Sequence, residues 1–167
     1  MAYKQNVPDA WKRMRPNTAK LPFIYNLDAA VGVGSPNQRL DVMMVQYFLQ
    51  NWRINKGETV HRVNPNAVPQ RPLPATGAFD NRTLAWIFWY QLTNFADTSS
   101  ITGKITPAAQ DGSDLTGRHT LLHLELQLLD PDANGKTFTS DNSKMFLDLS
   151  TDPTAPRELV AALAKPR

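Results

Sequence analysis

The feature that most constrains this chain is a turn that runs straight into a helix cap. Thr76-Gly77-Ala78-Phe79-Asp80-Asn81-Arg82-Thr83 leads without a break into the aromatic run Leu84 to Phe95. Glycine serves where φ must be positive or where a Cβ would clash. Asp80 is placed to accept backbone N–H groups one turn on, with Thr83 at the third helical position. The helix is predicted to run to about Asn94. Thr83, Trp86, Ile87 and Tyr90 share one face, and Leu84, Phe88, Leu92 and Phe95 make a second at i, i+4, i+8, i+11. A helix apolar on two sides is buried on two sides or meets a partner. The C-terminal extension is expected to cover the second face. The alternative is that Leu84, Phe88, Leu92 and Phe95 form a partner interface.

A second helix precedes it. Val31-Gly32-Val33-Gly34-Ser35-Pro36-Asn37 forms a glycine-bearing turn, and Asn37 or Asp41 can cap the helix that begins there. Val42, Val45, Phe48 and Leu49 then recur at i, i+3, i+6, i+7, with Trp52 one turn past Phe48, a stripe that reads as core. The turn lacks the third glycine and the Lys-Ser/Thr of a nucleotide cradle, so it is not read as a phosphate loop. Residues 53–75 read as a polar loop with Pro65, Pro69, Pro72 and Pro74, longer than ordinary connections and therefore a place to look for specificity.

The flanks are less regular. Residues 1–22 set Lys4, Lys12, Arg13, Arg15 and Lys20 against Asp9 alone, a basic arm read as a solvated tail with Trp11 pinned on the body. Phe23 to Val33 reads as extended. Arg118 to Leu129 is leucine-rich and is assigned to a helix that stops at Asp130-Pro131. A last helix opens at Thr154 or Pro156, with Leu159, Val160 and Leu163 on one face.

Composition narrows the classes. A chain of 167 residues suits one domain with extensions. A net charge of +3 is mild, so nucleic-acid binding is not expected. Cysteine is absent, which removes disulfides, thiolate metal sites and a cysteine nucleophile. No apolar run reaches the roughly 20 residues of a membrane span. No secretory leader is read at the start, which points to the cytoplasm or to a leaderless route to the periplasm.

Val42…Val45-Gln46…Leu49, then Thr76-Gly77-Ala78-Phe79-Asp80…Thr83…Ile87…Tyr90-Gln91, then Gly103-Lys104-Ile105-Thr106-Pro107 resembles the peptidoglycan-binding domain family, a small three-helix module of bacterial cell-wall hydrolases. Tyr90 stands where the family has phenylalanine, and Thr102 and Thr106 depart from its last turn. The resemblance implies a mainly α fold: a three-helix bundle over residues 31–130, with an N-terminal arm (1–30) and a C-terminal extension (131–167). It also implies non-covalent binding of glycan strands or stem peptides, without a cofactor. Trp52 and Trp89 are the candidate sugar platforms, with packing as the competing role for each. Arg53 and Arg71 are candidates for stem-peptide carboxylates.

Signals for catalysis are weak. His119 and His123 lie four apart with Glu125 nearby, but HExxH is missing and the remaining histidine, His61, sits in the long loop. No Gly-x-Ser-x-Gly elbow occurs. The sequence therefore reads as a non-enzymatic wall-binding protein with no catalytic and no metal residues. The competing reading is a protein–protein adaptor, or a structural component of a phage or secretion apparatus.

Overall fold

Among the described residues, four short strands, paired across long stretches of sequence, give this chain a character its helical patterns do not announce. The computed structural model describes residues 1–7, 9–14, 23–61, 71–95, 97–109 and 149–165, and for 10, 11, 14 and 53–61 the backbone alone. In order these hold β1 (Tyr3–Gln5), α1 (Asp9–Met14), β2 (Ile24–Asn26), β3 (Val31–Gly32), α2 (Arg39–His61), α3 (Asn81–Asn94), β4 (Lys104–Ile105) and α4 (Arg157–Leu163). Turns of 3-10 helix occupy Thr98–Ser100 and Leu149–Thr151.

The mainly α three-helix bundle is not what forms; the arrangement is mixed α/β. β1 pairs antiparallel with β2 in the register Tyr3↔Asn26, Lys4↔Tyr25, Gln5↔Ile24. β3 pairs antiparallel with β4, Val31 opposite Ile105 and Gly32 opposite Lys104. Strands of two or three residues are too short to show the period-2 alternation by which a strand is read from sequence. The start of the chain is therefore not a free arm, since Ala2 and Val7 are buried beside the first sheet. The helix expected over 118–129, which would complete the bundle, lies outside the described residues.

α2 and α3 pack together at the centre. Val42, Val45, Phe48, Leu49 and Trp52 are buried on one side, and Trp86, Ile87 and Tyr90 on the other. Trp52 meets Trp89 edge-on at 4.9 Å and Tyr90 at 5.1 Å, the geometry that ring quadrupoles favour. α4 lays Leu159 and Leu163 into the core and packs on α2 and β1. The described helices include none long and apolar enough to cross a membrane.

α3 begins and ends where expected. Asp80 caps it, accepting the Thr83 N–H at 2.7 Å and the Thr83 hydroxyl at 2.8 Å. α2 differs from expectation at both ends. Residues 53–61 continue the helix instead of opening a loop, because no proline interrupts before Pro65. Neither Asn37 nor Asp41 caps it: the Val42 N–H donates to Gln38 O. Asn37, at φ 50°, instead clasps the preceding turn, accepting from the Gly32 N–H and donating to the Gly32 and Ser35 carbonyls. Asp41 is buried and accepts from the N–H groups of Asp28 and Ala29. Burial pushes its carboxyl up, opposed by those bonds and by the Met1 ammonium 3.5 Å away.

Candidate functional site

Buried side-chain amides set the loops of this protein. Gln46, on α2 and 1% exposed, accepts from the Gly77 N–H at 2.9 Å and donates to Ala78 O at 2.9 Å and to the Thr83 hydroxyl at 2.8 Å. Gln91, on α3 and fully buried, repeats the arrangement. It accepts from the Gly103 N–H at 2.8 Å and donates to Lys104 O at 2.9 Å. Both glycines take positive φ, 76° and 66°. Each is preceded by a threonine whose hydroxyl accepts the N–H two residues on, Thr76 from Ala78 and Thr102 from Lys104. Thr-Gly is thus used twice as the same device, a left-handed turn docked on a helix through one glutamine. Asn26 does similar work at the first sheet, exchanging hydrogen bonds with both the N–H and the C=O of Ala108.

The Gln46 clamp shapes a cleft. One turn further along α2, Gln50 Oε1 accepts the Leu73 N–H at 2.9 Å, so Gln46 and Gln50 together tie residues 73–78 to the helix. On the neighbouring face of α2, Tyr47 reaches the other wall, its hydroxyl donating to the Asp152 carboxylate. Asp152 in turn accepts from the Thr154 N–H and hydroxyl, each at 2.8 Å. Between these walls lies a cleft of about 310 Å³. Its floor is Tyr47, Gln50 and Asn51, one wall is Pro72 to Ala75, and Thr154 stands opposite.

The described part of the lining is chemically quiet. Burial, reinforced by the Asp152 carboxylate, drives the Tyr47 phenol well above the ordinary tyrosine range, so it stays a neutral donor. Asn51 is 6% exposed and donates to Tyr47 O at 2.9 Å, while its Oδ1 accepts from none of the described residues. Gln50 spends its oxygen on Leu73, and its Nε2 donates to none of the described residues.

The residues singled out from the sequence fall elsewhere. Trp52 and Trp89 are 1% and 4% exposed and belong to the α2–α3 aromatic core, so neither ring offers a face to a sugar. The helical stripe that includes Trp52 and the crowding of Trp86, Trp89 and Tyr90 on α3 account for this. Arg71 is exposed and precedes the cleft wall by one residue, whereas the Arg53 side chain lies outside the described residues. The second apolar face of α3 is divided. Phe95 is buried against Tyr90, Leu84 and Phe88 are half-buried, and Leu92 is 52% exposed. Phe88 lies over Gly103, whose absent Cβ would stand 2.8 Å from its ring. His119, His123 and Glu125 and the His61 side chain lie outside the described residues, and among the described residues no cluster of His, Asp and Glu is placed to hold a metal.

Sequence reasoning missed Gln50, Asn51 and Thr154. The signal present was a pair of i, i+4 polar positions, Gln46/Gln50 and Tyr47/Asn51, beside the core stripe of α2. No family model matches the chain, and comparison with curated proteins and with solved structures gives no match either.

Proposed function

We propose that this chain is a non-catalytic binding module for bacterial cell-wall peptidoglycan, gripping the polymer at the cleft between residues 72–75 and Thr154. The observation that carries the reading is the cleft itself. It has ligand dimensions, one wall tied to α2 by the Leu73–Gln50 hydrogen bond, and amide atoms of Gln50 and Asn51 that bond to none of the described residues. Sites of this kind orient a ligand with few polar groups against apolar walls. The motif residues Gln46, Gly77, Asp80 and Thr83, on which the resemblance to wall-binding modules rests, hold the turn that follows one cleft wall. Support therefore comes from motif and cleft together.

A second reading, an adaptor or a structural component of a phage or secretion apparatus, draws on the exposed Leu92 beside the half-buried Leu84 and Phe88. Co-sedimentation with purified sacculi separates the two. On the wall-binding reading the chain pellets with sacculi, and free peptidoglycan fragments release it. A chain that stays in the supernatant at low salt overturns that reading in favour of the adaptor.

A further inference from the structure

We draw no further inference here: the strongest candidate, the apolar surface patch that exposed Leu92 forms on α3 with half-buried Leu84 and Phe88, carries nothing because nothing in the structure shows what covers it.

Discussion

Replacing Gln46 by methionine removes one clamp while nearly preserving volume, and it isolates the hydrogen bonds from packing. Three bonds are lost. The Gly77 N–H is the costly one, because the residue is buried and its donor is left without a partner; an orphaned buried donor costs about 1–3 kcal/mol. Ala78 is exposed, so water replaces the lost donation to its carbonyl at little cost. The Thr83 hydroxyl still donates to Asp80 and loses only its role as an acceptor, worth about 1 kcal/mol. The gross loss is about 3 kcal/mol, and burying methionine in place of an amide returns about 1 kcal/mol. The expected net destabilisation is thus about 2 kcal/mol, a fall in Tm of about 4–8 °C for a chain of this size. Urea denaturation followed by far-UV circular dichroism, with the m-value checked for constancy, measures it. Gln46→Glu is the companion: it keeps the Gly77 acceptor but turns two donors into acceptors, and it should cost at least as much. A Gln46→Met loss below about 0.5 kcal/mol would refute the view that this glutamine holds the turn.

Two further outcomes rest on local geometry. Gly32→Ala should cost more than about 3 kcal/mol, because the new Cβ would stand 2.3 Å from Gly103 O and 2.7 Å from Lys104 Cα, backbone that cannot move without breaking the β3–β4 pair; Gly34→Ala meets only open space at φ 64° and should cost about 1 kcal/mol, so similar losses in thermal unfolding would contradict the steric argument. The Thr83 N–H holds the Asp80 carboxyl below the usual carboxylate range, so the cap stabilises the fold above the ordinary unfolded value of about 3.9 and loses that contribution as pH falls through the lower folded value; Asp80→Ala should therefore cost about 1 kcal/mol at neutral pH and progressively less in acid, and a pH-independent difference would contradict the charge-based part of the cap.

The sequence by itself determined α3. Its turn, its aspartate cap, its end and its buried face of Thr83, Trp86, Ile87 and Tyr90 arise from residues within a few positions of one another, where capping and 3.6-residue periodicity operate. It determined the core stripe of α2 and the short α4 for the same reason. Tertiary structure decided the rest. Trp52 and Trp89 were legible as large aromatics, but only the crossing of α2 and α3 buries them against each other. The strands are invisible locally because two or three residues carry no pattern, and their partners lie far off, Val31 with Ile105 and Tyr3 with Asn26. The cleft is the clearest case, since Tyr47 finds Asp152 and Gln50 finds Leu73 only after the chain has doubled back on α2 twice. A glutamine on a helix does not reveal which distant N–H it will accept. That choice is made by packing, which buries the amide and leaves a distant N–H as its nearest partner.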